Sequence, residues 1–350
     1  MKYLRLLLKG IGLLLAFFLL LFFIIFLFPF KETVAPISPR ANTQYWMMES
    51  GFRIAYTHLP HTDSVAKTPV VFLHGGPGGY VHSSIIATLE GLTTDGHSVY
   101  LYDQRGSGLS DRLPRYSDIN FEKHLEDLHE IVTQHLGVEK VILIGQSFGS
   151  NIIAHYAARH PEKIEKIVFS SPGTFLPHRM HAGAYLDLDS LYPAPDSLSF
   201  IKPYNFVSDV NRTAMHPKAI VASMGALLFD RKLVSDRQMD RMLNTLASKF
   251  TQGMVCDPAN VLPEEGGGGL YAYLATNTGD QPEIREDLQR CRAPILVLHG
   301  QCEYHSYGSS YEYVDIFPNG QLQFIEGAGH EIWWEQEETY LRAIRNFLAQ

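Results

Sequence analysis

Apolar residues along the chain follow three different rhythms. From Ile11 to Phe30 twenty residues carry no charge and are dominated by Leu, Phe and Ile, with Lys2, Arg5 and Lys9 just before them. A run of that length crosses the hydrocarbon core of a bilayer as one helix. Beyond residue 45 the apolar runs become short and β-branched, at 69–74, 98–103, 141–144, 164–169, 294–299 and 321–325, as buried parallel strands require. Tyr45–His58 predicts two further strands around a Ser50-Gly51 turn. Between the strands the spacing is helical. Residues 119–136 set Ile119, Phe121, Leu125, Leu128, Ile131, Val132 and Leu136 on one face, and Ser150–Ala158 runs on to His160, where Pro161 stops it. A closing helix is predicted over about 335–349. Strands alternating with helices predict a parallel sheet with right-handed crossovers.

The third rhythm begins after Pro172. Helical patterns at about 214–229 and 235–250, a Pro-rich stretch at 193–203 and the run Gly266–Gly269 replace the strands, so residues 173–285 read as a helical insertion. The expected organisation is a membrane anchor (1–30), a tether containing Pro36 and Pro39 (31–44), and a core in two parts (45–172 and 286–350) around a cap (173–285). A cleaved signal peptide usually has a shorter apolar stretch ending in small residues. Here the run ends Phe28-Pro29-Phe30-Lys31, so an uncleaved single-pass anchor is expected. Its positive flank would stay cytoplasmic, leaving the remainder on the outer side.

Composition narrows the function. Apolar residues make up 45% and charged residues 19%, which describes a globular protein. Outside residues 1–30 there are 26 basic and 37 acidic residues, a balance that argues against nucleic acid and offers no basic surface for anionic lipid. Three cysteines are too few for a disulfide scaffold, and none has Cys-x-x-Cys spacing. The histidines show no metal-ligand spacing. Neither metal nor cofactor is expected.

The chemistry centres on Gly145-Gln146-Ser147-Phe148-Gly149, set between a predicted strand and a predicted helix. A serine flanked by glycines in that context is a nucleophile elbow, its hydroxyl lifted above the sheet at a helix N-terminus. A serine hydroxyl needs a base, and the base an orienting acid, supplied by loops after later strands. His330, after the 321–325 strand, is the expected base. Glu303, after the 294–299 strand, is the expected acid, because Asp315 and Glu326 sit in the wrong places and the loop after 164–169 has no acid. The oxyanion donors are expected to be the N–H groups of Phe148 and Gly76.

Four motifs then resemble the proline iminopeptidase family of α/β-hydrolases: His74-Gly75-Gly76-Pro77-Gly78-Gly79, Asp103–Ser110, Gly145–Ser150 and Gly327-Ala328-Gly329-His330. The resemblance covers about residues 45–172 and 286–350. It implies the α/β-hydrolase fold, a mostly parallel sheet flanked by helices with a helical cap, and removal of N-terminal residues from small peptides. It also implies that Asp103 and Arg105 are scaffold rather than catalysts. The acid position usually holds Asp, here Glu303, and the residue after the nucleophile is often Trp, here Phe148. Family members hold the substrate ammonium with cap carboxylates, for which Glu264 and Glu265 are the candidates. The cap itself carries 12 acidic and 10 basic residues, without strong bias. Two other readings compete with an aminopeptidase: an esterase or lipase-like hydrolase using the same triad, and a non-catalytic receptor on a hydrolase scaffold. Epoxide hydrolase and dehalogenase chemistry is disfavoured, because serine stands where those enzymes need Asp.

Overall fold

The computed structural model describes residues 2–27, 33–181, 183–202, 216–276 and 281–350. The end of the anchor run at 28–30, the start of the tether at 31–32, and parts of the cap at 182, 203–215 and 277–280 lie outside the described residues. Lys2–Leu27 forms one helix, α1, whose segment Leu7–Leu27 is long and apolar enough to cross a membrane.

The core is an eight-stranded sheet. In chain order its strands are β1 (Thr43–Met47), β2 (Arg53–Leu59), β3 (Val70–Leu73), β4 (Val99–Tyr102), β5 (Val141–Ser147) and β6 (Ile164–Pro172), then β9 (Ile295–Gly300) and β10 (Gly320–Ile325). In space they run β1-β2-β4-β3-β5-β6-β9-β10. β1 and β2 pair antiparallel to their neighbours, and every pair from β4 to β10 is parallel. Side chains of β3 and β5 alternate between two apolar cores. Val71, Leu73 and Leu143 face one, and Val70, Phe72, Ile142 and Ile144 the other. Each such side chain, fully buried, contributes about 1.5–3 kcal/mol relative to exposure.

Helices close both faces. α2 (Ser83–Glu90) buries Ile85 and Leu89 on one side. On the other, α3 (Phe121–Glu130) starts at Asn120, whose side chain caps the Lys123 N–H at 3.0 Å, and buries Phe121, Leu125 and Leu128. The predicted helix through residue 136 does not continue as one α-helix. It widens into a π-turn at 131–135, closed by the Leu136 N–H on the Ile131 carbonyl at 2.9 Å. α4 (Phe148–Arg159) is buried over most of its length and sits at the centre of the fold.

The cap contributes a two-residue hairpin apart from the main sheet, β7 (Met180–His181) with β8 (Ala184–Tyr185), where the sequence pattern predicts no strand. Its helices are α5 (Leu188–Leu191), α6 (Pro217–Phe229), α7 (Asp236–Phe250), α8 (Leu270–Thr276) and α9 (Arg285–Leu288). The run Gly266–Gly269 lies where four surfaces meet. A Cβ there would strike the Ala35 carbonyl, the Tyr80 ring, Asn244 Oδ1 and the Gly106 carbonyl in turn. The chain ends with α10 (Tyr307–Ile316), α11 (Ile332–Glu335) and α12 (Glu337–Leu348), the last burying Tyr340, Ala343, Ile344 and Phe347.

Residues 33–40 are not a free tether. Ile37 N–H bonds the Gly266 carbonyl at 3.2 Å, Arg40 meets Glu265 at 2.7 Å, and Thr33 Oγ1 lies 2.9 Å from Thr245 Oγ1. A disulfide joins Cys256 of the cap to Cys302 after β9, while Cys291 is a buried thiol.

Candidate active site

β5 delivers Ser147 at the carboxyl edge of the sheet, with φ 49° and ψ −118°. A non-glycine residue held there costs about 1–3 kcal/mol, which the surrounding packing must offset. The turn is tight because α4 begins at the next residue. A Cβ on Gly149 would fall on the Leu73 and His74 carbonyls, and one on Gly145 would come within 2.8 Å of Ser150 N. Ser147 therefore stands at the N-terminal end of α4, where unpaired N–H groups favour negative charge.

Two loops bring the other expected groups together. Glu303 follows β9 and His330 follows β10. His330 Nδ1 lies 2.8 Å from Glu303 Oε1 and 2.9 Å from Oε2. The carboxylate accepts, so the proton sits on Nδ1 and Nε2 is left as an acceptor. Glu303 also accepts the His305 N–H at 3.0 Å. Burial alone raises the Glu303 pKa, but the His330 charge and hydrogen bond override it and hold the carboxyl well below its usual range. Burial depresses His330 in turn, and Glu303 more than offsets it, leaving the imidazole above 6.5.

Tyr304 extends the His330–Glu303 pair by one more hydrogen bond. Its hydroxyl lies 3.3 Å from His330 Nε2, and it lines the same cavity as Ser147. Tyr304 donates to Nε2, and Nδ1 donates to Glu303. Burial and the Glu303 charge raise the phenol's pKa, so it stays protonated. Tyr304 is absent from the sequence-based expectations, although it directly follows Glu303. A hydroxyl beside an expected triad member, on the same loop, was the available signal.

The loop after β3 carries Gly76 at φ 132°, and Gly76 shares the wall of one cavity with Ser147 and His330. Phe148 opens α4 and turns its ring onto Phe121, centroids 5.9 Å apart. His74 joins the two glycine-rich loops: its Nδ1 bonds the Gly75 carbonyl at 2.8 Å and its Nε2 accepts the Gln104 N–H at 2.9 Å. Asp103 accepts from Val81 N–H at 2.7 Å and Leu109 N–H at 2.8 Å, and Arg105 Nε meets buried Asp127 at 2.6 Å. Both side chains are occupied in holding loops.

The cavity has a volume of about 360 Å³ and lies between the core and the cap. Leu243, Leu246, Phe250, Trp333 and Trp334 make much of it apolar. Two carboxylates interrupt that surface. Glu264 bonds the Tyr80 hydroxyl at 2.7 Å, and burial raises its pKa. Glu331, next to His330, is lifted by burial to about 7 and is also raised by Glu264. Its bond from Gln146 Nε2 is long, 3.4 Å. Among the described residues the wall includes Glu264 but not Glu265, whose carboxylate is held by Arg40 and the Ser83 N–H. Glu331 is absent from the sequence-based expectations, which place the ammonium-binding carboxylates in the cap. Glu303, His305 and His330 also bring three ligand atoms within 4.8 Å of one another. An ion bridging them would have to displace the proton shared by His330 and Glu303.

Residues 68–337 match the family model of the alpha/beta hydrolase fold. The chain is 38% identical to a proline iminopeptidase of Clostridium botulinum over 296 residues, covering 81% of this chain and 90% of that protein. It is 24% identical to a proline iminopeptidase of Saccharolobus solfataricus over 282 residues, covering 80% and 84%. An esterase from Rhodococcus superposes with a TM-score of 0.60 at 19% identity, over 88% of this chain and 99% of that one. The chain belongs to the α/β-hydrolase fold family and, within it, is proline iminopeptidase-like.

Proposed function

We propose that the protein is a membrane-anchored serine aminopeptidase that releases N-terminal residues from small peptides. The observation that carries this reading is the pair of carboxylates, Glu264 and Glu331, in the apolar wall beside Ser147. A carboxylate partly buried in an apolar wall without a cation is costly, and a substrate's terminal ammonium supplies the missing charge. Ser147 Oγ attacks the carbonyl carbon while its proton passes toward His330 Nε2, directly or through the Tyr304 hydroxyl. Glu303 stabilises the imidazolium without taking its proton. The N–H groups of Gly76 and Phe148 receive the developing oxyanion. His330 returns the proton to the leaving amine, and water then releases the acyl group from Ser147.

The placement of the catalytic domain on the outer side of the membrane is supported by two features. Lys2, Arg5 and Lys9 precede the apolar run, and the Cys256–Cys302 disulfide suits an oxidising compartment.

The largely apolar wall also favours a second reading, an esterase for neutral acyl substrates. One comparison separates the two: turnover of Pro- and Ala-arylamides, the same compounds with blocked amines, and short acyl esters. The peptidase reading expects turnover of free amines that blocking abolishes. Indifference to blocking overturns it in favour of the esterase. Failure of Ser147 to react with a fluorophosphonate overturns both.

A further inference from the structure

Cap helix α6 is inverted relative to an ordinary surface helix. Its small residues Ala219, Ala222 and Ala226 are buried, and Ala219 and Ser223 border the cavity. Its large apolar residues face outward. Ile220, Met224, Leu227 and Leu228 follow one another at helical spacing on the opposite side. Met224 is 52% exposed, Leu227 63% and Leu228 65%. Phe229 and Leu233 are also exposed, at and just beyond the helix end. A continuous apolar face of this kind marks a contact surface.

Two observations identify the occupant. α1 packs against α6, and Phe26, next to the last residue of α1, rests on the core cluster that includes Ala219, Ala222 and Ala226. The chain from 33 to 40 is bonded to the cap through Thr245, Gly266 and Glu265. The apolar anchor therefore emerges against the cap rather than the far edge of the sheet.

We propose that the outward face of α6 lies in the interfacial layer of the bilayer that α1 crosses, with Ile220, Met224, Leu227 and Leu228 among headgroups and upper acyl chains. This rests on reading α1 as a membrane anchor. The attraction is apolar, since the near-balanced charge of the cap gives anionic headgroups little to hold. The helix that borders the site is then also the one that meets lipid.

The test uses full-length protein in phosphatidylcholine vesicles, with a nitroxide on a single introduced cysteine at Met224, Leu227 or Leu228. Labels at Leu15 in α1 and at exposed Glu139, at the opposite end of the sheet, serve as references. The native cysteines do not interfere: two form the disulfide and Cys291 is buried. The cap labels are expected to resemble Leu15, several-fold more accessible to oxygen than to a nickel chelate, with no need for anionic lipid. Cap labels that match Glu139 while Leu15 stays lipid-like overturn this proposal and leave the anchor standing. A Leu15 label open to nickel overturns both. Dipolar broadening between cap labels that disappears on dilution with unlabelled protein assigns the face to a second copy, which also overturns it. Dependence of the cap pattern on anionic lipid overturns the apolar contact.

Discussion

Cys302, joined through sulfur to Cys256 in the cap, is the residue immediately before Glu303. One covalent bond thus ties the cap to the loop that orients His330. The Cys256→Ser/Cys302→Ser variant is expected to lose about 2–4 kcal/mol, roughly 5–10 °C in Tm, and to lose kcat as the Glu303 loop loosens. Thermal melts and arylamide kinetics check both. An unchanged kcat would show that the loop keeps its position without the bond.

In the proposed mechanism His330 must be neutral to act, and Glu303 raises its pKa above the usual 6.5. Activity therefore rises with pH, and the acid limb of kcat/KM falls above pH 6.5. Because the folded pKa is raised, the contribution of this pair to stability is full below 6.5 and is lost as pH rises through the folded value. Glu303→Gln is expected to move the limb downward and to reduce kcat about 10³–10⁴-fold. A pH–rate profile of both proteins measures the shift.

Tyr304→Phe removes the hydroxyl that bonds His330 Nε2 in the cavity shared with Ser147. Proton-transfer assistance is worth about 10²–10⁴-fold, so a loss of about 10²-fold in kcat and in fluorophosphonate reactivity is expected. A rate equal to the parent's would mean that substrate displaces the phenol before reaction.

Glu331→Gln separates stability from recognition. The pKa of Glu331 is raised from 4.5 to about 7, so the fold favours the uncharged acid. Its contribution to stability is full below pH 4.5 and is lost as pH rises through about 7. The variant should match the parent in Tm at pH 4.5 and exceed it at pH 8. Its KM for free-amine substrates should rise at least tenfold, with amine-blocked esters unaffected. An equal rise for both substrates would assign Glu331 to cavity shape instead of charge.

Much of the sheet was legible because parallel strands buried on both faces must be short and apolar, as at Val141–Ile144. The elbow was legible for a related reason, since few residue types tolerate the contacts around Gly145 and Gly149. The π-turn at 131–135 was not, because a helical face from Phe121 to Leu136 reads alike with or without one widened turn. Glu265 was a candidate for the cavity because acidic neighbours in a loop cannot be told apart by sequence. Only the arrival of Arg40 from a distant segment draws one of them away. Tyr304 and Glu331 each directly follow an expected triad member. Adjacency along the chain does not say which way a side chain turns, so their places at the cavity emerge only from the fold.

The contact of Gly149 with the Leu73 and His74 carbonyls has a wider consequence. The helix that starts just after Ser147 and the loop that carries Gly76 pack closely, with no slack for a bulkier residue between them. The cap contributes another part of the wall, where α7 presents Leu243, Leu246 and Phe250. On the proposed function, the apolar part of substrate selectivity can therefore drift on the cap side without disturbing the packing around Ser147.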